Sequence, residues 1–162
     1  MPDISLWVPV ISAGAAVLGA AVSPVAAAYQ NVWQARRDRA QQHETAIREA
    51  CVRLLRAAHD VRAQVASNHG YHGEEMGARL ERVRLLAADV GVYAVSVAML
   101  VPHDPGLGNS AAEIATAVGQ LIAATEAKTS RDMQVSLEAP DFTEVDASIE
   151  DFSKRGVDYF RH

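Results

Sequence analysis

Residues 47–65 read IREACVRLLRAAHDVRAQV. Ile47, Cys51, Leu54, Ala58, Val61 and Val65 recur at steps of 4, 3, 4, 3 and 4, and Arg48, Arg53, Arg56 and Arg62 take the other side. Apolar residues at that spacing, with no Gly or Pro among them, mark an amphipathic helix whose stripe packs against other helices. Ala40 lies one heptad earlier on the same seam. Nothing between Gln30 and Ala66 breaks a helix, so one long rod is expected with its arginine face in water. The rod should end at 67–73, SNHGYHG, where two glycines fall within four residues.

A second seam follows. Leu80, Val83, Ala87, Val90, Ala94, Val97 and Val101 step by 3 and 4 in alternation, predicting a helix from about Glu74 to Val101. Two such seams joined by a short loop make an antiparallel hairpin. Residues 102–108, PHDPGLG, break the chain again. Ser110 and Glu113 form a capping-box pattern that would open a third helix with Ile114, Val118, Leu121, Ile122 and Thr125 buried, fading between Thr129 and Leu137. Pro140 stops continuation, Asp141 with Glu144 gives a second capping pattern, and Val145, Ile149, Phe152, Gly156 and Tyr159 mark a fourth helix. No stretch alternates like a strand. The expected fold is all-α, an antiparallel four-helix, coiled-coil-like bundle running up-down-up-down. That topology puts the loops at 67–73 and 135–141 at one end, and the 102–109 loop with Tyr159–His162 at the other.

Upstream of the rod, residues 4–29 read ISLWVPVISAGAAVLGAAVSPVAAAY, without one charged side chain. About 20 apolar residues suffice to cross a bilayer core of roughly 30 Å. Ile4–Tyr29 is therefore expected to be a transmembrane helix continuing into the bundle, dividing the chain into an anchor at 1–29 and a helical domain at 30–162. Trp7, Tyr29 and Trp33 sit where aromatic rings favour the headgroup region. Pro24 is expected to kink the span near its end. The stripes Ser12, Ala16, Ala20 and Ala15, Gly19, Ser23 would let two spans approach closely. A cleaved signal peptide is the competing reading, with Ala26–Ala28 as its processing site. Its polarity is wrong: the amino-terminal side carries Asp3 and no Lys or Arg, while Arg36, Arg37 and Arg39 follow the apolar run. A buried soluble helix would need enclosing on all sides, and no other part of the chain is apolar enough to do that. The positive-inside rule then places the amino terminus outside and the carboxy-terminal domain in the cytoplasm.

Composition narrows the function. Net charge is −5, with seven arginines against four acids over 30–66 and five basic against ten acidic residues over 110–162. Such a balance argues against nucleic acid as a partner and favours pairing of the basic helix with acidic ones and with anionic lipid. Aromatic residues make up 6%, so a core of small side chains is expected. Cys51 is the only cysteine, which excludes an internal disulfide and agrees with a reducing compartment.

The polar groups that could carry chemistry are few. His69, His72, Glu74 and Glu75, near Asn68 and Tyr71, form the densest cluster and have the donor types of a zinc site or an acid–base pair. Asp132, Glu138 or Asp141 could approach them from the other loop of that end. A Gly-rich loop fixes no geometry, however, and an ordinary exposed loop is the expectation. Cys51 lies on the apolar seam and reads as a core residue, with His59 two turns away. His43 and His59 read as surface or boundary residues. His103-Asp104 is a fragment of a catalytic pair by adjacency only. No phosphate loop, paired-cysteine motif or nucleophile elbow is present. No catalytic, cofactor-binding or metal-ligating residue is therefore assigned, no cofactor is expected, and the chain is not expected to be an enzyme.

The run Leu6-Trp7-Val8-Pro9, the Ala-rich span, the Arg-rich helix after it and the terminal Val157-Asp158-Tyr159-Phe160 resemble small single-pass membrane proteins of high-GC actinobacteria. That resemblance implies a bacterial membrane protein and brings no activity, cofactor or functional residue with it. The leading expectation is a membrane-anchored interaction or scaffold module whose partners are the lipid bilayer and either another protein or further copies of itself. The alternative is a small membrane effector or pore-forming protein that oligomerises through its transmembrane helix.

Overall fold

The computed structural model describes residues 7–68, 74–131 and 139–161, with side chains from Gln30 onward except at Glu74 and 129–131. These residues form four helices: α1 (Trp7–Ser67), α2 (Glu74–Leu100), α3 (Pro105–Arg131) and α4 (Thr143–Tyr159). No strand occurs among them. The chain divides into two compact units, Met1–Glu44 and Thr45–His162. α1 continues through Pro9 and Pro24 and contributes to both units.

In the second unit the four helices pack on one core of Ala and Val with few large side chains. From Ile47 on, the predicted seam of α1 is buried at every position, joined by Ala50 and Ala57. α2 contributes Val83, Val90, Ala94 and Val97, with Val101 directly after it, while Leu80 and Ala87 are half-buried. α3 contributes Ile114, Val118, Leu121 and Ile122, and α4 Val145, Ile149 and Phe152. Among the described residues Phe152 is the one aromatic ring that is fully buried; Tyr93, Phe142, Tyr159 and Phe160 pack around the edge of the core. Ala40, expected on the α1 seam, is exposed, because the buried stripe begins one heptad later at Ile47.

Contacts between helices fix the expected up-down-up-down order. Near the end of α1, Arg62 lies over the Phe142 ring (4.9 Å) and pairs with Asp146 at the start of α4, with Nε 2.7 Å from Oδ1 and NH2 donating to Oδ2 at 3.1 Å. Arg48, four turns earlier, lies over Phe160 at the end of α4, 4.8 Å from the ring centroid. These two helices are thus antiparallel. Arg84 near the start of α2 donates to Glu126 near the end of α3 at 2.7 Å, and Gly108 at the start of α3 comes up against Ala98 at the end of α2. Arg48 and Arg62 therefore act as clasps between helices; the expectation of a merely solvated arginine face holds for Arg53 and Arg56, which are exposed.

Both predicted caps are corrected. α3 starts at Pro105, five residues before Ser110. Asp104 caps it: its Oδ1 accepts the Leu107 N–H (3.1 Å), and the Gly108 N–H closes the first helical turn on the Asp104 carbonyl (3.3 Å). Proline at the first helical position costs nothing there, since that N–H has no intrahelical partner. Ser110 is instead buried inside the helix, its Oγ donating to the Leu107 carbonyl at 3.1 Å. The additional turn buries Leu107 and Ala111, two core residues the capping-box reading omits. At α4 the cap position is Phe142, without a side-chain cap. Asp141 closes a local turn, its Oδ1 accepting from the Thr143 N–H (2.9 Å) and from Thr143 Oγ1 (2.7 Å).

Candidate functional site

His69, Tyr71 and His72 lie outside the described residues, as do Asp132 and Glu138; Glu74 is the first residue of α2, with its side chain not described. Glu75 is described, and its Oε1 accepts from Arg79 NH2 one turn on (3.1 Å). Asp141 is committed to Thr143, and those two hydrogen bonds, with Lys128 nearby, hold its carboxyl below the usual aspartate range. Among the described residues no group of three or more His, Cys, Asp or Glu is placed to hold a metal ion.

The remaining candidates are dispersed. Cys51 is a buried member of the core, and burial pushes its thiol up to about 11. A thiol so protonated and enclosed is a poor nucleophile at neutral pH. His43, His59 and His103 are exposed on separate parts of the chain. His103 and Asp104 do not work as a pair, since the Asp104 carboxylate is occupied by the α3 cap.

Two further polar groups are engaged, one between α4 and α3 and one within the end of α1. Arg155 on α4 donates to Asp151 at 2.6 Å and reaches the start of α3, where a Cβ added at Gly106 would lie 3.1 Å from Asp104 Oδ1 and 3.4 Å from Arg155 NH1. The Asp151 hydrogen bond, with smaller contributions from Glu113 and Asp104, raises the guanidinium above its ordinary value. At the other end of the bundle Asn68 is 2% exposed. Gln64 Nε2 donates to its Oδ1 (3.0 Å), while its Nδ2 has no partner among the described residues.

No protein-family model, curated protein or solved structure matches the chain. Function has to be read from the surfaces.

Two surfaces stand out. In the first unit residues 30–44 are exposed throughout, with Val32 and Trp33 each about half exposed and the Arg37 guanidinium stacked on the Trp33 ring at 5.4 Å. In the second unit, α2 is apolar on its outer side as well as its inner one. Leu85, Val92, Val95 and Met99 are 64, 61, 58 and 78% exposed, and Ala88 is exposed between them. Among the described residues Glu75–Leu100 is the segment long and apolar enough to cross a membrane by length and composition. The sequence reading assigned that property to Ile4–Tyr29, whose side chains are not described. The steps 85, 88, 92, 95 and 99 were visible in the sequence. They were passed over because a seam that already accounts for burial leaves the opposite face to be read as solvated.

Proposed function

We propose that the chain is a membrane-anchored helical interaction module without catalytic activity of its own. Ile4–Tyr29 anchors it in the cell membrane as a single pass with the amino terminus outside, and the domain that follows is cytoplasmic and presents its faces to a protein partner. The observation that carries this reading is that four of the described candidates are committed to the fold. Cys51 is closed in the core, Asp104 caps α3, Asp141 closes a turn and Glu75 bonds Arg79.

The anchor is supported by the charge-free run and by the helix that carries it unbroken from Trp7 into the bundle. Trp33 with Arg37 on its face, followed by Arg39, is the pairing expected at a headgroup layer with anionic lipid. α2 meets the same length and composition test, yet inserting it would strip Val83, Val90, Ala94 and Val97 from the core. Each large apolar side chain moved out of a core costs roughly 1.5–3 kcal/mol.

The test is fractionation of cells expressing the full chain with a carboxy-terminal tag, followed by protease treatment of intact cells. The tag is expected in the membrane fraction and protected. Recovery of the tag in the soluble fraction would remove the anchor, and digestion in intact cells would reverse the orientation.

A further inference from the structure

The exposed part of α1 has two unlike sides. Residues 30–43 are unbroken helix and are exposed at every position. At about 100° per residue, Val32, Trp33, Arg36, Arg37, Arg39 and His43 fall within an arc of about 160°. Gln30, Asn31, Gln34, Asp38, Gln41 and Gln42 occupy the rest of the turn, the alanines at 35 and 40 aside. The division is complete. All three arginines and both large apolar side chains of the segment share one side, and its only carboxylate, Asp38, is on the other. Glu44, the next acid, follows Arg37 by a heptad at the far end of the basic side and is itself engaged.

Setting the topology of a span requires basic residues beyond its end and is indifferent to the side of the helix they occupy. The sidedness therefore has another cause. Among the described residues neither Arg36 nor Arg39 has a hydrogen bond or ion pair, and Arg37 is stacked on the Trp33 ring at 5.4 Å. A guanidinium so stacked still donates through its edge, and its fork matches the oxygens of a phosphate. Tryptophan is the residue that favours the headgroup layer. The face begins at Val32, three residues past the uncharged run 4–29. On the anchor reading it lies where phosphodiester groups are densest, and an acidic protein would have to displace them to reach it. A net charge of −5 turns nucleic acid away.

We propose that this side of α1 binds the headgroups of anionic phospholipid, so that the chain gathers such lipid on one side of the helix. The proposal takes its location from the anchor reading and adds to it a lipid class and a side.

The test uses the full chain with Trp7→Phe, which leaves Trp33 as the only tryptophan. It is reconstituted in vesicles of equal parts phosphatidylcholine and phosphatidylglycerol, with bromine on the acyl chains of one lipid or the other. The composition is otherwise the same, so the ratio of quenching reports which lipid lies beside Trp33. Brominated phosphatidylglycerol is expected to quench about threefold more strongly. A rearranged variant, Gln34→Arg, Arg36→Gln, Arg39→Gln and Gln42→Arg, keeps the charge of the segment and moves two arginines to the other side. Its ratio is expected to fall toward one, with helicity by circular dichroism unchanged. Equal quenching by the two lipids in the parent overturns the proposal. A rearranged variant as selective as the parent overturns it too, since charge alone would then suffice. Flotation on vesicles of phosphatidylcholine alone tests the anchor separately. A chain that floats there and shows equal quenching keeps the anchor and refutes the lipid site. A chain that floats on the mixed vesicles only, with selective quenching, refutes the anchor and leaves the basic side of α1 as what binds it.

Discussion

The bundle is held by two unlike joints. Where Gly108 of α3 meets Ala98 of α2 the contact is made by absence of bulk: a Cβ on Gly108 would lie 3.6 Å from Ala98 Cα and 3.7 Å from its Cβ, while Arg84 and Glu126 join the same two helices at their other end. Where α4 meets α1 the contact at both ends is made by long side chains, Arg48 over Phe160 and Arg62 over Phe142 with Asp146 beside it. Between those ends Phe152 fills the core. The Gly108 contact depends on shape, which neither salt nor pH alters. The second depends partly on charge, in side chains that remain about half exposed. A single small-residue core can thus hold a short fourth helix only by adding one large ring and two clasps.

The largest effect should come from that ring. Phe152→Ala removes a fully buried aromatic side chain and is expected to cost about 3–5 kcal/mol, against a total of roughly 5–15 for a typical domain. Urea denaturation followed by helicity measures it, with the exposed Val157→Ala as a control expected within about 0.5 kcal/mol of the parent. A loss below about 1 kcal/mol for Phe152→Ala would mean that α4 is held by its ends rather than by the core, reversing the emphasis above.

The shape-dependent joint is sharpened by a pair of substitutions at Gly108. Ala fits at ordinary contact distance and removes a flexible residue from the helix, so it should be neutral or stabilise by up to about 1 kcal/mol. Leu has to push α2 aside and is expected to cost about 1–3 kcal/mol. Differential scanning calorimetry of both variants checks the sign. Should Leu be tolerated as well as Ala, the close approach is not a constraint on the fold.

Much of the second unit was legible because burial follows spacing. Ile114, Val118, Leu121, Ile122, Val145, Ile149 and Phe152 are buried where the spacing puts them, while Thr125, Gly156 and Tyr159 of the same patterns are only half-buried. The reading failed where one residue type carries two meanings. Pro105 with Gly106 and Gly108 looks like a break, yet Asp104 supplies the cap that lets proline open a helix, and Gly108 lies against Ala98 of α2. Arg48 and Arg62 lie on a polar face by periodicity, but a guanidinium can reach around a helix and stack on a ring three helices on in sequence. The outer stripe of α2 shows the same limit from the other side, since periodicity finds every apolar face and cannot say which one the chain itself covers. For the site, the spacing gave residue types without geometry: His69 and His72 fall outside the described residues, and Asp141 turned out to serve its own backbone.

The smallest effect, and the most specific, concerns Arg62. An exposed ion pair contributes about 0–1 kcal/mol, and a guanidinium over a ring about 0.5–1 kcal/mol at an exposed site. Arg62→Gln removes both and should cost about 1 kcal/mol in low salt. Asp146→Asn removes only the pair, so its cost should be smaller and should vanish in 1 M salt, where charges are screened beyond about 3 Å. The difference between the two variants is then the stacking on Phe142, and it should persist at high salt because the ring contact is short and partly desolvated. Denaturation midpoints at two salt concentrations separate the two contributions. If both variants lose their effect together in salt, Phe142 contributes nothing and the α1–α4 joint is purely coulombic at this end. If neither responds to salt, the 2.7 Å approach of Nε to Asp146 is incidental to the stack, and the joint depends on shape after all, as the contact of Gly108 with Ala98 does.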